Sequence, residues 1–102
     1  MAAYVVAQMQ VNDPKMYREY ASKVGPTAAP YGARFLAAND AETKEGEPPY
    51  ARTIIGEFPS LETARSWYES EAYQAILPLR LKSTIGTLVM VEGFSLPPVR
   101  GD

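Results

Sequence analysis

Twice along 102 residues the chain presents an apolar strand, a helix start marked by proline, and a returning strand. In the first half, residues 3–11 alternate so that Val5, Ala7, Met9 and Val11 form one apolar face, while Tyr4, Val6, Gln8 and Gln10 form a mixed one. Asp13-Pro14 then opens a helix, because an aspartate at the N-cap accepts an otherwise unpaired amide and proline at the first helical position presets φ. Met16, Tyr17, Tyr20 and Val24 fall at helical spacing and form its buried stripe. Gly25-Pro26 is expected to break or kink this helix, with a further turn over Thr27 to Ala29 before Pro30-Tyr31-Gly32 ends it.

The second half repeats the theme. A strand is expected from Ala33 to Ala38, then a charged, proline-ending loop or hairpin tip over 39–49, and a third strand from Ala51 to Phe58. Pro59-Ser60 starts a helix with Leu61, Ala64, Trp67 and Tyr68 on one face, and a further helical piece runs from Glu71 to about Ser83, bent at Pro78. Gly86 to Phe94 reads as the last strand. The expected organisation is one domain over 1–94 and a tail over 95–102. Strand, helix, strand, strand, helix, strand is the order of an α+β, ferredoxin-like βαββαβ fold with a four-stranded antiparallel sheet and helices on one face. The other face then meets solvent, a ligand or another subunit. We assign to it Tyr4, Val6, Gln8 and Gln10 together with Leu88, Met90 and Glu92, a surface too apolar for open water and too polar for a dry core. A chain this short buries only about two-thirds of its unfolded surface, so a homodimer joined through that open sheet face is expected.

Composition narrows the chemistry. With no cysteine and no histidine there is no disulfide framework, no zinc site of the usual N/S type, no thiolate nucleophile and no histidine-based triad. Neither a metal nor another cofactor is expected, and any activity falls to carboxylates, tyrosines, lysines or arginines. A net charge of −2, with both signs interspersed, gives no basic stripe for nucleic acid. No apolar run approaches the roughly 18 residues of a membrane span, and the start lacks a basic n-region, so a cytoplasmic location is the default expectation.

Arg34 and Arg52 lie within strands, where a guanidinium needs an anion or a hydrogen-bonding partner. They either pair with Glu57 or Glu92 or sit at a sheet edge in water, or one or both clamp an anionic or carbonyl-bearing ligand. Glu92, embedded in the most apolar strand, is a candidate general base or acid, with a structural ion pair as the competing role; Glu57 is a weaker candidate nearer a strand end. Trp67, Tyr68, Tyr73 and Arg80 in the second helical region form an aromatic group that serves either as core or as the border of a ligand cavity. Tyr4, Gln8 and Met90 complete the expected ligand-binding set. The terminal Arg100-Gly101-Asp102 carries no weight.

Asp13-Pro14 with Tyr17 and Tyr20, Pro30-Tyr31-Gly32-Ala33-Arg34-Phe35-Leu36, Glu45-Gly46, Arg52, Glu57-Phe58-Pro59-Ser60, Ala64, Trp67-Tyr68-Glu69-Ser70, Tyr73, Leu77-Pro78-Leu79-Arg80 and Val91-Glu92-Gly93 together resemble the small bacterial family known as domain of unknown function 1330. The resemblance runs from about Ala3 to Phe94 and departs at Ala33, where the family often has a second glycine, and in the tail. It implies a subunit that pairs sheet to sheet with its twin as a dimeric α+β barrel. Relatives by fold include cofactor-free quinone monooxygenases, isomerases, polyketide cyclases and haem-dependent peroxidases; branches that lean on a histidine are excluded here. A shared fold does not fix function. The resulting expectation is a small-molecule-binding dimer whose cavity orients a carbonyl or carboxylate metabolite through Arg34 and Arg52, with Glu92 or Glu57 as base in isomerase, cyclase or lactone chemistry. The alternatives are a cofactor-free monooxygenase and a non-enzymatic ligand-binding or structural homodimer.

Overall fold

A computed structural model describes residues 1–95; most of the tail read from the sequence, 96–102, lies outside the described residues. The elements follow in the order β1 (Ala3–Val11), α1 (Pro14–Ala28), a single 3₁₀ turn (Ala29–Tyr31), β2 (Arg34–Asp40), β3 (Arg52–Phe58), α2 (Leu61–Glu69), α3 (Glu71–Ser83) and β4 (Thr84–Glu92). Side-chain oxygens satisfy the first amides of each helix. The Asp13 carboxylate accepts from the Met16 amide at 3.1 Å, the Ser60 hydroxyl from Thr63 at 3.0 Å, and the Ser70 hydroxyl from Tyr73 at 3.2 Å. Ser70 also donates to the Trp67 carbonyl, so this residue closes α2 and opens α3.

Three elements differ from expectation by two residues or more. Helix α1 runs through Gly25-Pro26 to Ala28, because a proline this close to a helix end removes one backbone bond, while the Thr27 hydroxyl supplies a donor to the Val24 carbonyl. Strand β2 extends to Asp40, since Asn39 and Asp40 pair with Thr53 and Arg52 of β3. Strand β4 begins at Thr84 and ends at Glu92, because Thr84 and Ile85 pair with Val11 and Gln10.

The four strands form one antiparallel sheet in the order β2-β3-β1-β4. In β1, Ala3, Val5, Ala7 and Met9 are buried beneath the helices. Register then decides every neighbour, because residues directly opposite in a ladder share a face. Tyr4, Val6 and Gln8 stand opposite Val91, Val89 and Thr87 of β4 and opposite Glu57, Ile55 and Thr53 of β3. These residues form the open face. Leu88, Met90 and Glu92, expected there, instead stand opposite Ala7, Val5 and Ala3 on the helix side, where Leu88 and Met90 pack against the core. The period of two identified two faces in β4 but carried no information on which one joined Tyr4.

The core is an aromatic stack between the helices and the sheet. Phe58 and Trp67 have ring centroids 5.2 Å apart, Trp67 and Tyr73 4.2 Å, and Tyr20, Ile76 and Leu77 close the cluster. Strand β2 receives no such cover: each of its seven residues is exposed. Among the described residues no helix is long and apolar enough to cross a membrane.

Gly86 shows how tightly β4 lies on β1. A Cβ there would collide with the Gln8 carbonyl oxygen and approach the Met9 Cα to 2.6 Å. Backbone cannot step aside as a flexible side chain can. Gly86→Ala is expected to destabilise the fold by at least about 2 kcal/mol, read as a lowered urea midpoint at unchanged slope; an unaltered midpoint contradicts this close approach.

Candidate functional site

Residues of α1 and of all four strands, with Trp67 of α2, line a cavity of about 240 Å³ that is open to solvent. Its walls are largely apolar and aromatic: Met9, Val24, Ile54 and Leu88 with the rings of Tyr20 and Trp67. Phe35 of β2, 46% exposed, stands where the cavity meets solvent. The indole nitrogen of Trp67 is already engaged, donating to the Thr27 hydroxyl at 3.1 Å. Tyr17 contributes the remaining aromatic wall, its ring centroid 6.0 Å from that of Tyr20.

Arg52 is the charged residue of this lining. Pairing places it between Met9 of β1 and Asp40 of β2, hence on the helix side of the sheet. Its Nε is buried and has no hydrogen-bond partner, and the ion pairs among the described residues do not include it. A guanidinium held at an apolar cavity with an idle donor is matched chemically to a carboxylate, a carbonyl oxygen or another oxyanion. On its other flank Arg52 borders a second, more open groove of about 360 Å³, shared with Gln10, Asp40 and Tyr50. Asp40 is the carboxylate that the strand register brings nearest to this arginine.

Behind the cavity wall, the hydroxyls of Tyr20 and Tyr73 lie 2.9 Å apart. Either oxygen has the geometry to donate, but Tyr73 has no exposed surface and no other side-chain partner among the described residues. The pair therefore satisfies both buried hydroxyls. Burial pushes the Tyr20 hydroxyl well above the ordinary phenol range, and Tyr73 raises it further, with the Arg80 charge pulling the other way. Tyr20 therefore remains a phenol, able to donate, at any physiological pH. Arg80, in the last turn of α3, is itself only 5% exposed.

The residues singled out from the sequence divide into three places. Trp67 and Arg52 line the cavity; Tyr68, Tyr73 and Met90 pack in or against the core behind it, with Arg80 buried nearby. Tyr4, Gln8 and Arg34 belong to the open face. There Arg34 donates twice to one Glu57 carboxylate oxygen, at 2.7 and 3.1 Å, Tyr4 donates to the other at 3.3 Å, and Gln8 donates to the Thr53 hydroxyl. Arg34 and Arg52 thus stand on opposite sides of the sheet and do not converge on one ligand. Glu92 is not desolvated: it is exposed at the end of β4, opposite Ala3, and lies outside the cavity lining, as does Glu57. Tyr17, Tyr20 and Phe35 are lining residues that the sequence reading left to the core or to a strand. The only available signal was the count of seven tyrosines, with two of them three residues apart on α1.

Since the folded state holds the Tyr20 proton more tightly than the unfolded chain, stability is full below the ordinary tyrosine range and is lost as pH rises above about 10. In a spectrophotometric titration at 295 nm Tyr20 is expected to ionise only as the fold is lost. Smooth ionisation of all seven tyrosines in a still-folded protein would contradict its burial.

The fold is shared with several solved structures. A dimeric ferredoxin-like protein of unknown function from Jannaschia sp. CCS1 superposes with a TM-score of 0.75 at 11% identity, covering 91% of this chain and 100% of that one. The protein of unknown function RPA0582 from Rhodopseudomonas palustris gives 0.74 at 13%, covering 93% and 84%. SnoaB, a cofactor-independent oxygenase from Streptomyces nogalater, gives 0.67 at 9%, covering 96% and 98%. No curated protein matches. Identities this low establish a common fold and leave activity open. The sequence itself goes further: residues 2–94 match the family described as Domain of unknown function (DUF1330), and the chain belongs to that family.

Proposed function

We propose that this protein is a homodimer joined through its open sheet face, each subunit binding a small, largely apolar organic anion or carbonyl compound in the cavity between α1 and the sheet. The observation that carries the reading is Arg52, a guanidinium with an unpartnered buried Nε beside an apolar, aromatic cavity. A volume of about 240 Å³ is smaller than the roughly 300 Å³ at which pockets for drug-sized ligands begin, which suits a molecule of one or two rings. Ring walls hold its body, and Arg52 takes its oxygen.

Such a site stabilises negative charge on oxygen. Its lining contains no carboxylate, so proton abstraction by Glu92 or Glu57, as the strand positions suggested, is replaced by binding of an already anionic or readily ionised compound. A second reading, cofactor-independent oxygenation, draws support from Arg52 in the lining, which favours a substrate held as its anion, and from the fold shared with SnoaB.

The dimer rests on the open face. Ile85, Val89 and Val91 of β4 are 52–55% exposed, and Val6 and Ile55 continue this apolar surface across β1 and β3. Contiguous apolar area of this kind marks an interface, and the Jannaschia structure is described as dimeric. Light scattering at micromolar concentration is expected to give the mass of two chains, and Val89→Arg that of one. A wild-type mass of 11.2 kDa would exclude the dimer.

Ligand binding is read through Trp67, the one tryptophan. Phenylacetate, a carboxylate on a single ring, is expected to change Trp67 fluorescence saturably, and Arg52→Gln to weaken that binding by roughly tenfold, the effect of a lost charge-assisted contact. Equal affinity in the two proteins would remove Arg52 from the site.

A further inference from the structure

Arg80 is the buried charge that the binding site as described does not use. It is 5% exposed, its Nε has no hydrogen-bond partner, and among the described residues no carboxylate lies within ion-pair distance of it. A guanidinium in such surroundings is costly unless its charge is answered. Its position in the last turn of α3 answers a part, since the carbonyl end of a helix carries about half a negative charge. Among the described residues no carboxylate supplies the remainder.

Its neighbours point toward the cavity. Tyr73 precedes Arg80 by seven residues on α3, two turns along the same face, and its hydroxyl meets that of Tyr20 at 2.9 Å. Tyr20 in turn forms part of the cavity wall. The Arg80 charge also acts on the Tyr20 hydroxyl, so a buried cation and a hydroxyl pair stand behind the cavity wall. We propose that Arg80 is kept as a buried cation without a carboxylate partner so that an organic anion bound in the cavity supplies the opposing charge. The inference rests on the cavity reading above and adds a positioning residue to it: Arg80 does not touch the ligand, yet it makes the site prefer an anion over a neutral molecule of the same shape.

A residue of this kind behaves unlike a structural one. Arg80→Met retains an unbranched side chain of helical preference while removing the charge. Without ligand, Arg80→Met is expected to be as stable as the wild type or more so, because a buried cation without a carboxylate partner has been replaced by an apolar group. Binding is followed by Trp67 fluorescence with two probes, phenylacetate and its neutral amide, phenylacetamide. The wild type is expected to bind phenylacetate the more tightly, and Arg80→Met to lose roughly tenfold in phenylacetate affinity at unchanged phenylacetamide affinity, as for one charge acting across a partly shielded interior. Arg80→Lys, which keeps the charge, is expected to restore most of the preference. Wild-type binding with the same anion-to-amide ratio in Arg80→Met overturns the role of Arg80 and leaves the cavity intact. Wild type that binds neither probe removes the cavity reading and the inference with it. Loss of the fold in both variants makes Arg80 structural, which also overturns the proposal.

Discussion

The architecture hangs on the pairing of β1 with both β3 and β4. Its registers set Met9 between Arg52 and Gly86, and Val5 between Gly56 and Met90, and so decide which side chains of three strands look at the helices. One residue of slip would exchange the faces, carrying Arg52 to the open side and Glu57 beneath α1. The anchor of the cavity and the charge pair of the open face are thus two results of one alignment. Gly86 helps to fix it, since only a residue without a Cβ lets β4 approach the Gln8 and Met9 backbone so closely.

Above that sheet, aromatic packing and polar satisfaction are carried by the same side chains. Trp67 stacks on Phe58 and Tyr73 while its indole N–H is used by Thr27. Tyr20 packs edge-on to Tyr73 and shares a hydroxyl contact with it. Tyrosine serves here in a way phenylalanine cannot, because its ring fills the core while its oxygen meets a partner hydroxyl behind the cavity. The open face works differently: Arg34, Glu57 and Tyr4 neutralise one another in partial contact with water, where such contacts add little to stability, and leave the valines and isoleucines beside them as the unmatched feature.

Much of this was legible in the residues. Asp13-Pro14, Ser60 and the alternation of residues 3–11 mark their elements by local chemistry, and each lies where that chemistry puts it. Arg34 was read as a partner of Glu57 or Glu92 or as a clamp, and the structure pairs it with Glu57. What eluded the sequence was relational. Alternation in β4 shows two faces without saying which one meets Tyr4, so Leu88, Met90 and Glu92 were assigned to the wrong side. Arg52 and Arg34 both occupy strands, and only inter-strand register reveals that they point apart. Tyr17 and Tyr20 have the spacing of a core stripe, and nothing local distinguishes a stripe that closes on its neighbour from one that lines a cavity.

Ser70 links two of these parts. Its backbone ends α2 and begins α3, and its hydroxyl is held between the Trp67 carbonyl and the Tyr73 amide. No loop separates α2 from α3, so one hydroxyl fixes both helix ends. The indole at the cavity wall and the phenol bonded to Tyr20 are therefore held through a single side chain. A change at Ser70 would reach both the lining of the cavity and the hydroxyl pair behind it.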